Sequence, residues 1–111
     1  MSKPFLITEK IKKTNTYIEN SVYNFPHRYN ILRNNINSTC YSILELSYKA
    51  NVYKDINNMK DIIIKIRMLE YYLKVANDNL LISFKKFENI GYYLLDINKM
   101  INAWIKSASK E

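Results

Sequence analysis

An all-α fold, an antiparallel up-down-up-down four-helix bundle, is the architecture this chain predicts, and three observations carry it. Apolar residues recur at three- and four-residue spacing through four successive segments. Short breaks separate those segments, so consecutive helices must pack as antiparallel neighbours crossing at a shallow angle of about 20°. No segment alternates with a period of two over the length of a strand. With 111 residues the chain forms one domain, 1–111.

Residues 1–4 carry no periodicity and are expected to be irregular and mobile. Ile7, Ile11, Thr14, Ile18, Val22 and Phe25 then mark a first helix of about 5–24, ended by the restriction that Pro26 places on Phe25. Leu32, Ile36, Thr39, Ile43, Leu46, Ala50 and Tyr53 give a second helix of about 28–54, expected to be the longest. Asp55 to Asn58 has turn composition. Met59, Ile62, Ile66, Leu69, Leu73 and Ala76 line a third helix of about 59–77. Asn77-Asp78-Asn79 breaks the pattern, and Ser83 suits the N-cap of a fourth helix of about 83–107. That helix places Phe87, Ile90, Leu94, Ile97, Ile101, Trp104 and Ala108 on one face, with Trp104 as a core anchor. Gly91 lies mid-helix at a cost of about 1 kcal/mol relative to alanine, which points to the close approach of a neighbouring backbone.

The third helix has a further property. Ile63, Ile64, Met68, Tyr71, Tyr72 and Val75 occupy its other faces, so it is apolar almost all round. A four-helix monomer covers only one such side, which predicts a homo-oligomer with Ile64, Met68, Tyr71 and Val75 at the subunit boundary.

Net charge is +7, from 17 basic and 10 acidic residues, and favours polyanionic partners. The abundance of Ile, Asn, Lys and Tyr with a single Gly also suits an AT-rich coding sequence, which raises Lys for reasons unrelated to binding. Position is more informative than number. Lys60, Arg67 and Lys74 are seven apart on the third helix, and Lys85, Tyr92, Lys99 and Lys106 are seven apart on the fourth. Such rows form two outward stripes suited to phosphate contact, with Tyr92 placed to stack on an unpaired base. The plainer reading of the same rows is a solvated face. Lys10, Lys12 and Lys13, or Arg28 and Arg33, are the other basic groupings.

Enzyme chemistry is not expected. Cys40 is the single cysteine and His27 the single histidine, so no metal-ligand cluster and no Cys–His pair is expected, and no cofactor is called for. Cys40 reads as a small near-core residue and His27 as an exposed helix-start residue. Asp61, Glu70, Asp78, Glu88 and Asp96 are expected on different faces, without an acid–base pair. Mean hydropathy is −0.31 and no long apolar block occurs, which predicts a soluble, cytoplasmic protein with no membrane partner.

Four blocks carry a resemblance: Asn24-Phe25-Pro26; Ile43-Leu44-Glu45-Leu46 followed by Lys49-Ala50-Asn51; Leu81-Ile82-Ser83-Phe84-Lys85-Lys86-Phe87-Glu88; and Met100-Ile101-Asn102-Ala103-Trp104-Ile105-Lys106-Ser107. In order and spacing they resemble the four-helix-bundle family that unites the accessory variability determinant (Avd) proteins of diversity-generating retroelements with proteins encoded in 23S ribosomal RNA intervening sequences. Members often carry Gly-Gly or Gly-Ser before the tryptophan, where this chain has Asn102-Ala103, and arginine late in the third helix, where it has Lys74. The resemblance implies a ring-shaped homopentamer with a basic surface. It implies binding to a reverse transcriptase and to template-repeat RNA, with DNA as a further nucleic-acid ligand, in support of mutagenic cDNA synthesis. The alternatives are a structural oligomeric scaffold, or an intervening-sequence bundle protein of undefined role.

Overall fold

In a computed structural model, described over residues 2–110, four helices account for almost the whole chain. They are α1 (Lys3–Val22), α2 (Asn30–Tyr53), α3 (Ile56–Asp78) and α4 (Phe84–Ala108), with a short 3-10 turn at His27–Tyr29. Among the described residues there is no strand. Each helix packs on its neighbours in sequence and α1 closes onto α4, so the four form a square bundle of 47 × 23 × 20 Å. Met1 and Glu111, the ends of the expected domain, lie outside the described residues.

The helix ends follow from capping chemistry. The Ser2 hydroxyl accepts from Phe5 N–H and Pro4 occupies the first turn, where its missing donor costs nothing, so α1 begins at Lys3 rather than 5. Lys3 and Pro4, expected to be mobile, are therefore helical, with Ser2 as their cap. Asp55 caps α3 by accepting from Asn57 N–H at 2.8 Å, which turns most of the expected 55–58 turn into helix. Lys54, at φ 55°, supplies the left-handed residue that ends α2. Ser83 caps α4 as its sequence suggests, accepting from Lys86 N–H at 3.1 Å. The longest helix is α4, with 25 residues against 24 in α2, because the 3-10 turn takes the first residues expected of α2. After α3, Leu81 N–H bonds to the Ala76 carbonyl and Leu80 N–H to that of Asn77, a Schellman-type ending with Leu80 at φ 57°.

The core is one stripe per helix. Ile7, Ile11, Ile18 and Val22 of α1 meet Ile36, Cys40, Ile43 and Ala50 of α2. All six apolar seam residues of α3 are buried, as are Ile90, Leu94, Ile97, Ile101 and Trp104 of α4. Tyr53 is exposed instead of buried, because α2 ends there and the chain turns into α3 within two residues. Ser47 is buried, donating to the Leu44 carbonyl at 2.6 Å and lying 3.4 Å from the Thr8 hydroxyl of α1.

Gly91 contradicts the packing expectation. A Cβ there would meet nothing within 4 Å, and the residue is exposed, so no neighbouring backbone approaches it. Within α3, Ile63 and Tyr72 pack against the bundle's own core, which narrows the surplus apolar surface to Ile64, Met68 and Tyr71 with half-buried Val75 at its edge.

Two outcomes follow. Ile66→Ala removes a fully packed side chain and is expected to lower stability by about 2–5 kcal/mol in chemical denaturation, with helix content retained below the transition. Burial, then the nearby Glu19 charge, pushes the Cys40 thiol from 9.0 up to about 12. The folded chain thus holds a proton that the unfolded chain releases. The stabilisation this gives is complete below pH 9 and is lost as pH rises through 12. The stability difference between the parent and Cys40→Ala, measured from pH 7 to 12, is expected to shift against the parent above pH 9.

Candidate nucleic-acid interface

The α3–α4 side of the bundle carries both cation rows. Lys60, Arg67 and Lys74 of α3 are exposed, as are Lys85, Tyr92, Lys99 and Lys106 of α4. The middle members of the two rows, Arg67 and Tyr92, line a groove of about 480 Å³ between the two helices, with Glu70 on the α3 side and Glu88, Gly91 and Asn98 on the α4 side. Apolar Ile66, Leu94 and Leu95 also line it. Arg67 and Tyr92 are thereby brought together across the helix pair. Lys85 lies in the first turn of α4, where the helix dipole opposes a cation, and Lys106 in its last turn, where the dipole favours one.

The rows are not equally free. Arg67 Nη1 lies 3.8 Å from Glu70 Oε1, and Lys74 Nζ lies 3.1 Å from Asp78 Oδ2. Exposed pairs of this kind are worth about 0.2–1 kcal/mol, so a phosphate displaces them at little cost. Lys60, Lys85, Lys99 and Lys106 enter no ion pair among the described residues. The carboxylates correct one expectation: Glu70 and Glu88 share the groove rather than facing apart. That pairing depends on the register of α3 against α4, which periodicity within either helix does not contain.

Among the other basic groupings Lys10, Lys12 and Arg28 have intramolecular partners, while Lys13 is exposed and Arg33 half-buried. Lys10 lies 3.7 Å from Asp96 and over the Tyr93 ring, whose edge-on partner is Tyr17 at 5.3 Å. Asn89 donates to the Tyr17 hydroxyl at 3.1 Å, completing an α1–α4 seam that no single-helix pattern signals. Lys12 is paired with Glu9 at 3.1 Å, and hydrogen bonds to Glu9 and then Tyr48 hold its ammonium above the ordinary value. Arg28 rests on the Tyr29 ring. Trp104 is buried as an anchor and His27 is exposed, as expected.

At the candidate boundary, Ile64 is 60% and Tyr71 61% exposed, with Met68 between them at 41%. This apolar row adjoins the α3 cations along the same helix. Among the described residues no three His, Cys, Asp or Glu side chains gather closely enough to hold a metal ion. No helix among the described residues is long and apolar enough to cross a membrane.

Comparison with known proteins gives a fold and a family. The chain is similar in structure to a protein of unknown function from the S23 ribosomal protein family of Bacteroides thetaiotaomicron, with a TM-score of 0.84 and 19% identity, covering 95% of this chain and 99% of that one. At that identity the likeness speaks for the four-helix fold alone. No curated protein matches the chain. A family model described as bAvd-like matches residues 5–108, nearly the whole bundle, and the chain therefore belongs to the bAvd-like family.

Proposed function

We propose that this chain is a non-enzymatic accessory protein of a diversity-generating retroelement, which binds the reverse transcriptase and template-repeat RNA and supports mutagenic cDNA synthesis. The observation that carries the reading is the exposure of two basic rows on the adjacent helices α3 and α4 of a bAvd-like bundle, with Arg67 of one and Tyr92 of the other lining the same groove. Phosphates neutralised there release condensed counterions, so affinity comes from summed electrostatics and carries no base information. A homopentameric ring multiplies the effect by repeating the rows around its circumference. The exposed row Ile64, Met68 and Tyr71, bordered by Val75, supports self-association, since apolar residues grouped in this way gain by leaving water. DNA presents the same phosphate chemistry and is a secondary ligand of the same surface. The cytoplasm, where the transcript is made, is the proposed location.

Charge reversal separates this reading from that of a protein scaffold. Lys60→Glu, Arg67→Glu and Lys74→Glu together, or Lys85→Glu, Lys99→Glu and Lys106→Glu together, are expected to lower affinity for structured RNA at least tenfold. The dependence of affinity on salt should flatten by about 0.7–0.9 per lost contact. Helix content and assembly mass should not change, because these side chains lie off the core. Single substitutions should each weaken binding only modestly. Unaltered affinity and salt slope in both assembled triple variants would make the two rows solvated faces and move the contact surface to Lys10, Lys12 and Lys13 or to Arg28 and Arg33. A parent that binds the reverse transcriptase but no RNA in its absence would instead assign the chain to the scaffold class. Light scattering of the parent is expected to give five times the 13.3 kDa chain mass, and Ile64→Asp with Tyr71→Lys to shift it to a single chain. A parent of 13.3 kDa would contradict the ring.

A further inference from the structure

The α3–α4 groove contains features that phosphate binding does not use. Gly91 leaves open space on its α4 wall, and no contact within the bundle requires a glycine there. Asn98 also lines the groove, and its Oδ1 is buried without a hydrogen-bond partner. Buried carbonyl oxygens are nearly always satisfied, so this one calls for a donor. Glu70 and Glu88 add carboxylates, which disfavour a phosphate at this spot and accept hydrogen bonds from a neutral ligand. Tyr92 is 60% exposed at the edge, available as a stacking face.

We infer that the groove at Gly91 and Asn98 is a seat for an unpaired guanine base of a bound RNA strand. The inference rests on the RNA-binding reading above and names what that surface selects. A planar base can lie against the helix where Gly91 has no side chain, with Tyr92 against its face. Arg67 also lines the seat but lies 3.8 Å from Glu70, which leaves the Glu88 carboxylate as the free acceptor. Among the four bases guanine alone presents two adjacent donors, N1–H and N2–H₂, on its pairing edge. One carboxylate accepts both in parallel, as it would from a guanidinium fork. Rotation about the terminal torsion of Asn98, which is soft for an amide, turns its oxygen to a donor in the groove. Adenine and cytosine each bring an acceptor beside their amino group, which would face a carboxylate. Uracil offers a single donor between two carbonyls. The flanking cations Lys60, Lys74, Lys99 and Lys106 then hold the phosphates on either side, so strand and base occupy different parts of one face.

The test uses the full-length protein and free nucleotides, so that it does not depend on RNA binding. GMP, AMP, CMP and UMP are titrated separately while the Gly91 backbone and Asn98 side-chain amide resonances are followed by NMR. GMP is expected to shift both, with AMP, CMP and UMP at least tenfold weaker. Gly91→Leu fills the groove with a good helix former and Glu88→Gln removes one carboxylate; each is expected to weaken GMP at least tenfold. All-uridine RNA should bind the parent with the steep salt dependence of phosphate contacts whether or not GMP is selected. Equal responses to all four nucleotides, or none, would overturn the guanine seat while leaving the electrostatic reading to stand on the all-uridine RNA. Gly91 and Asn98 shifts that follow protein concentration but not GMP would assign the groove to a contact between copies of the chain, and would likewise overturn it.

Discussion

The bundle depends on the burial of a single narrow apolar stripe on each of four helices. Every seam residue of α3 is at most 2% exposed, and Ile90, Leu94, Ile97 and Ile101 of α4 match it. Because the helices form a closed square in which only adjacent backbones approach closely, each stripe must serve two neighbours at once. Three- and four-residue spacing achieves this by spreading side chains to either side of the helix midline. The last wall, α1 against α4, is closed by polar and aromatic edges: Tyr17 on Tyr93, Asn89 on the Tyr17 hydroxyl, and Lys10 between Tyr93 and Asp96. Positions outside the stripes and this seam have little folding duty, which leaves the α3 and α4 surfaces available for binding.

The stripes were legible in the sequence because they are local. Ile62, Ile66 and Leu69 are core for a reason visible within one helix, and Ser83 is an N-cap for a reason visible within four residues. Helix starts were less legible where the cap competes with another reading of the same residues. Asp55-Ile56-Asn57-Asn58 has turn composition, yet the Asp55 carboxylate caps a helix, and Ser2-Lys3-Pro4 shows no periodicity although it begins one. Tyr53 continues the α2 period but leaves the core because the chain turns two residues later, while Cys40 is buried as its small apolar side chain suggests and Ser47 fills a position that apolarity alone would not assign to it.

The candidate site divides in the same way. The cation rows were legible because a seven-residue interval keeps side chains on one helix face. The groove between them was not, because it is created by the register of α3 against α4. That register brings Glu70 to Glu88 and Arg67 to Tyr92, and it leaves Gly91 facing open space where a buried contact was expected. The result is a face of mixed charge, with cations along its length and two carboxylates beside Arg67 at its centre. A uniformly basic face would hold a polyanion anywhere along it, whereas acidic groups at the centre push phosphates outward and leave room for a neutral ring.

The central claim is that nucleic acid lies on the α3–α4 face rather than being spread over a generally basic protein. Lysine acetylation footprinting with and without structured RNA, read by mass spectrometry residue by residue, tests it most directly. The account predicts protection of Lys60, Lys74, Lys99 and Lys106, with unchanged modification of exposed Lys12 and Lys49 on α1 and α2. Protection of Lys12 and Lys49 with Lys60 and Lys99 unaffected, or uniform protection of all of them, would contradict it.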